Sequence, residues 1–180
     1  MPTQIALFRG INVGKAKRVA MPELRDALAG LGYSNVRTLL NSGNAVFDSP
    51  RRLTSAGAMA IRDAVTARTG VVSEVTTLTA SDLAIIVGEN RLADLIDDPS
   101  RGLVAFPVTA AALSRAKGLE DRDHSPERFA VGSRAAYFWC PSGILGSNLL
   151  VEFGRLLGTA VTTRNWATVL KLRAMVEAPA

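Results

Sequence analysis

Hydrophobic and polar positions along this chain alternate between strand-like and helix-like periods, and the switches between them mark out its elements. Thr3 to Arg9 is a short apolar run with strand-favouring residues. From Pro22, Leu24, Leu28 and Leu31 recur at helical spacing, and a proline suits a first helical turn. Two strand-like runs follow, Val36 to Leu40 and Ala45 to Asp48. The residues between them, Asn41-Ser42-Gly43-Asn44, tolerate positive φ and predict a hairpin. A helix from Ser55 to Arg68 places Ala58, Ile61 and Val65 on one side; Gly70 stops it, and Val71 to Leu78 predicts another strand. The order is βαββαβ.

The pattern then restarts. Ser81 is placed to cap a helix running to Gly88, and Asn90 to Arg101 reads as a charged, turn-rich connector. Leu103 to Val108 predicts a strand, Ala110 to Lys117 a helix, and Arg128 to Val131 with Ala135 to Cys140 a hairpin about Gly132-Ser133-Arg134. Leu149, Leu150, Phe153, Leu156 and Leu157 mark a further helix. Thr159 to Thr162 reads as a short strand, and Asn165 to Glu177 as a last helix carrying Trp166, Val169, Leu170 and Val176. The fold expected is α+β, a tandem pair of ferredoxin-like βαββαβ subdomains with an added C-terminal helix. Its divisions are 1–79, a helix and connector over 80–101, and 102–180.

In such a unit the first and second strands run parallel and the third lies antiparallel between them. The loop Gly10 to Ala20 and the hairpin Asn41 to Asn44 therefore emerge at one edge of the first sheet. In the second unit, the glycine-rich loop Pro141 to Ser147 and a turn at Thr162-Thr163-Arg164-Asn165 share the opposite edge. A cleft between the units is the expected meeting place of all four.

Composition changes this picture modestly. With 180 residues, 48% hydrophobic and 21% charged, the chain can bury a sizeable core. No run approaches the roughly 20 apolar residues of a membrane span, and no basic leader precedes a long apolar region; the expectation is a cytoplasmic protein without membrane association. Cys140 is the only cysteine, so an intrachain disulfide and a four-cysteine zinc site are excluded. A net charge of +5 and a pI near 10.0 point to anionic partners, either nucleic acid or phosphorylated metabolites. Arginine outnumbers lysine 17 to 4. Its planar fork suits phosphate and carboxylate, although genomic base composition gives the same skew.

Two motifs carry most of the candidate chemistry: Arg9-Gly10-Ile11-Asn12-Val13-Gly14-Lys15 and Thr162-Thr163-Arg164-Asn165-Trp166-Ala167-Thr168. Within them Arg9 to Gly14 and Thr162 to Trp166, together with Met21, Ser42-Gly43-Asn44 and Val46-Phe47, resemble the bacterial domain-of-unknown-function 1697 family over nearly the whole chain. The resemblance implies a cytosolic α+β protein of two ferredoxin-like subdomains and no established activity. Two positions depart from the family pattern: Lys15 stands where a second glycine is expected, and Asn148 where a lysine is expected.

Exposed backbone N–H groups beside Arg9, Asn12 and Lys15 would suit an anion, as would a threonine cap followed by Arg164 and Asn165 at a helix start. Ser42 and Asn44 add neutral donors and acceptors. The leading expectation is therefore an anionic or phosphate-bearing ligand, nucleic acid included, held by Arg9, Asn12, Lys15, Ser42, Asn44, Arg164 and Asn165. An enzyme acting on a small anionic metabolite and a protein interaction module are the alternatives. Against each motif stands a purely structural role in turns and caps. No cofactor or metal is expected: His124 is the sole histidine, in an exposed charged turn, and Asp97-Asp98 and Asp121/Asp123 lack calcium-loop spacing. Cys140 is expected to be buried and not nucleophilic. Phe8 and Phe47 fall on central strands, but apolar residues on both faces leave no open aromatic platform for RNA.

Overall fold

Strand β1 (Thr3–Phe8) is buried along nearly its whole length, which explains why Ile5 to Phe8 is continuously apolar and does not alternate. It leads through a loop to α1 (Met21–Gly30), followed by β2 (Ser34–Leu39), β3 (Asn44–Asp48), α2 (Ser55–Thr69), β4 (Val75–Thr79) and α3 (Ala80–Gly88). The computed structural model describes residues 1–14 and 17–178. In the first sheet the order is β2-β3-β1-β4, with β1 antiparallel to both β3 and β4. Ala6, Phe8, Ala45 and Phe47 on one face pack with Leu24 and Leu28 of α1 and Ile61 and Val65 of α2. Ile5, Leu7 and Val46, on the other face, are equally buried.

The second sheet repeats this plan. Strands β5 (Gly102–Pro107), β6 (Arg128–Val131), β7 (Ala136–Trp139) and β8 (Val161–Asn165) take the order β6-β7-β5-β8. Helices α4 (Ala110–Ala116) and α5 (Asn148–Leu157) cover one face, where Phe138 meets Phe153 edge-on with ring centroids 4.8 Å apart. Val104, Phe106 and Tyr137 on the opposite face are also buried, and the Tyr137 hydroxyl donates to the Ile86 carbonyl of α3 at 2.7 Å. Helix α6 (Trp166–Glu177) follows β8 directly. The described chain is thus mixed α+β, with two four-stranded antiparallel sheets and six α-helices. None of the described helices is long and apolar enough to cross a membrane.

Two local differences from the sequence reading have clear causes. The segment Thr162 to Asn165 is strand and not turn, because it pairs residue by residue with β5, from Phe106↔Thr162 to Leu103↔Asn165. Helix α3 is capped by Thr79 and not by Ser81. Thr79 Oγ1 accepts from the Asp82 N–H at 3.0 Å while Asp82 Oδ2 accepts from the Thr79 N–H at 3.0 Å, a reciprocal capping box. Packing groups the chain into two compact units. One compact unit comprises Met1–Leu83 and the chain from Leu172 onward; the other is Ala84–Lys171. Within the first unit, Arg37 Nη2 donates to the Met175 carbonyl at 2.9 Å and so binds the end of α6 to β2.

Candidate functional site

The loop after β1 is built around Asn12. Its φ of 56° lies in the left-handed region that asparagine tolerates better than most residues. Its Nδ2 donates to the Val19 carbonyl at 2.8 Å and to the Asn41 carbonyl at 2.7 Å, and its Oδ1 accepts from the Val19 N–H at 2.9 Å. The Asn12 N–H meets the Lys17 carbonyl at 2.9 Å, which closes the loop on itself. Ile11 and Val19 are buried in the first core and anchor its two limbs.

This loop and the β2–β3 hairpin are locked together. Phe8 N–H donates to the Gly43 carbonyl at 2.8 Å. Gly43 has φ 77°, and a Cβ there would lie 2.8 Å from both Ile11 Cγ1 and Phe8 Cβ, so only glycine fits. Asn44 is fully buried; its Nδ2 donates to the Leu39 carbonyl and to Ser42 Oγ, each at 3.0 Å. Behind the loop, Arg9 N–H reaches the Glu74 carbonyl at 2.9 Å and Ser73 Oγ donates to the Arg9 carbonyl at 2.9 Å.

Arg9, Asn12, Ser42 and Asn44 therefore converge at one edge of the first sheet. The amides of Asn12 and Asn44 are engaged in holding that edge in shape. Lys15 lies outside the described residues. Beside Asn12 the loop presents two exposed cations, Lys17 and Arg18, neither in an ion pair with a described residue. Gly10 and Gly14 have φ of 67° and 61° and open space where a Cβ would stand. Val13 is 69% exposed and Leu40 51%. Leu40 has φ 56°, a conformation that costs a leucine about 1 kcal/mol. The pattern of strand-forming residues places Leu40 at a strand end, so its left-handed backbone carries no sequence signal.

Arg164 and Asn165 occupy β8 in the second unit. Arg164 is 8% exposed; its Nη1 donates to Thr162 Oγ1 at 3.0 Å and to the Thr163 carbonyl at 2.7 Å. Burial draws its pKa down to about 10, since a desolvated guanidinium holds its proton less tightly. Asn165 Oδ1 accepts from the Thr168 N–H at 2.8 Å, so asparagine and not threonine caps α6.

The remaining polar features have local partners. In the loop before α5, Ser147 Oγ accepts from Leu150 N–H at 3.0 Å and Glu127 Oε2 from Leu149 N–H at 3.4 Å, placing a carboxylate of the protein itself at that helix start. Cys140 is buried, and burial, reinforced by Glu127, pushes its thiol pKa up to about 11. His124 is half-buried and not simply exposed: its Nε2 lies 2.8 Å from the Leu119 carbonyl and its ring meets Phe129 edge-on. It lines a polar pocket of about 310 Å³ with Glu120, Arg122, Asp123, Glu127 and Arg128. Asp123 accepts from the Ser125 backbone N–H at 2.9 Å, a turn contact. Asp98 likewise serves a turn, accepting from Ser100 N–H at 2.9 Å and Ser100 Oγ at 2.7 Å, which lowers its pKa. Among the described residues, no group of three or more His, Cys, Asp or Glu side chains is placed to hold a metal ion.

The fold and the stapled loop edge define an α+β protein of two sheets with matching strand order and a cationic loop at one rim of the first. The chain belongs to a family of proteins of unknown function, DUF1697, whose model matches residues 1–137. That match contains the loop and hairpin and ends before Thr162. No curated protein matches the chain. Among solved structures it is similar to the conserved bacterial protein SP0830 from Streptococcus pneumoniae, at 23% identity and a TM-score of 0.71 over 98% of this chain and 99% of that one. This likeness concerns the fold. A candidate chlorite dismutase, TA0507, aligns over 96% of this chain and 97% of its own at 14% identity, with a TM-score of 0.25.

Proposed function

We propose that the protein binds an anionic, phosphate-bearing ligand at the loop edge of its first sheet, and that each of its two units is a ferredoxin-like βαββαβ domain. The strand order β2-β3-β1-β4, repeated as β6-β7-β5-β8, supports the second part. The observation that carries the first is the stapled loop: Asn12 fixes its shape while Lys17 and Arg18 stand exposed beside the open backbone of Gly10 and Gly14. Held by the bonds of Asn12, the described part of this loop has less left to order when an anion binds, which avoids part of the entropic cost of association. Arg9 begins the same loop and is half-exposed. A nucleic acid would be held here by its phosphates, because Phe8 and Phe47 are 0% and 1% exposed and offer no stacking surface.

Titration with pyrophosphate at low and high salt tests this reading. Binding should weaken as salt rises, and Lys17→Ala combined with Arg18→Ala should lower affinity roughly tenfold, about 1.4 kcal/mol. Arg9→Ala is expected to act in the same direction. Unchanged affinity in the folded double variant would overturn the proposal.

A further inference from the structure

Leu40 is misplaced by the rules that govern the rest of its hairpin. A leucine in the left-handed region is strained where glycine or asparagine would not be, and at 51% exposure its side chain gains little from the fold in return. Exposed apolar residues are ordinary when scattered singly. This one combines exposure with backbone strain, and Val13, 69% exposed, adjoins Asn12, whose Nδ2 donates to the carbonyl of Asn41, the residue after Leu40. The two flank the hydrogen bond from Asn12 Nδ2 to the Asn41 carbonyl, 2.7 Å long, on the same rim as Lys17 and Arg18. Strain retained at a surface position points to a use outside the folded chain.

We propose, resting on the anion-site reading above, that the ligand is a small phosphate ester with an apolar or aromatic group. Its phosphate lies against Lys17, Arg18 and the Gly10–Gly14 backbone, and its organic group against Val13 and Leu40. The charge of the rim sets the sign of the ligand, and the paired apolar side chains set the character of what the phosphate is attached to. A nucleoside monophosphate has this composition, whereas inorganic phosphate and simple sugar phosphates supply only the charged half.

Comparing adenosine 5′-monophosphate with ribose 5-phosphate isolates the apolar contact, since the two share a phosphate and differ by the base. The whole protein should bind the nucleotide at least fivefold more tightly by calorimetric or NMR titration. Leu40→Gly should reduce that ratio toward one, leave ribose 5-phosphate affinity unchanged, and keep or raise the melting temperature. Leu40→Asn and Val13→Ser give independent checks if the glycine variant folds poorly. A ratio near one in the wild type, or a ratio unaltered in the Leu40 variants, overturns the inference while leaving an anion site intact. A short oligonucleotide bound far more tightly than the mononucleotide, regardless of residue 40, overturns it in favour of nucleic acid. Failure of both sugar phosphates and of pyrophosphate to bind removes the anion site and the inference together.

Discussion

Gly43 and Asn12 hold the candidate site together from opposite sides of one junction. Gly43→Ala would force a Cβ to within 2.8 Å of Ile11 and Phe8 at a φ of 77°, so a loss of about 2 kcal/mol or more is expected in urea denaturation. Asn12→Ala removes three side-chain hydrogen bonds and should cost roughly 1–3 kcal/mol, with faster amide exchange across residues 10–19. Both residue types were legible as turn formers. What the sequence did not reveal was the partner: an amide that staples a loop and an amide that grips a ligand have the same chemistry, and only geometry separates them. Cys140 is buried, as its place at the end of an apolar strand predicts, and its titration can be checked. A thiol whose pKa rises from 9.0 to about 11 on folding keeps its proton longer in the native state. The unfolded chain therefore releases that proton first, and stability falls as pH rises from 9 to 11, by at most about 1.4 kcal/mol per unit. Cys140→Ala should lack this slope. Arg164, displaced in the opposite sense, contributes equally to both proteins and cancels in the comparison.

At the scale of elements, strong periodicity predicts the strands and helices, and the differences gather at their ends. The pattern predicts the final strand at Thr159 to Thr162, yet it runs Val161–Asn165. Arginine and asparagine argued for a turn, but two β-branched threonines and the waiting edge of β5 prevailed. The same edge takes Arg164 out of solvent, which pattern alone does not register. Asn165 then closes the strand and opens α6 through its bond to Thr168 N–H. Asn165→Ala should lower stability by about 1 kcal/mol, with amide exchange accelerated first in the opening turn of α6. Comparable fraying localised to α3 is expected for Thr79→Ala, which breaks the Thr79–Asp82 capping box.

For the molecule as a whole, the doubled βαββαβ order was visible because the hydrophobic pattern repeats, and both sheets adopt the corresponding strand order. Burial of both faces of β1 was equally visible in the apolar run Ile5 to Phe8. The partner of the end of α6 was not. A helix at the end of the chain reads as an appendage of whatever precedes it, whereas Arg37 captures the Met175 carbonyl far upstream in sequence. Removing residues from Leu172 onward should therefore destabilise the first unit, seen as protease cleavage within Met1–Leu83, and Arg37→Ala should reproduce part of that sensitivity. The same discontinuity sets an order of events during synthesis. The first unit emerges from the ribosome early but lacks its closing segment until all of Ala84–Lys171 has been translated, so the part made first is the part finished last.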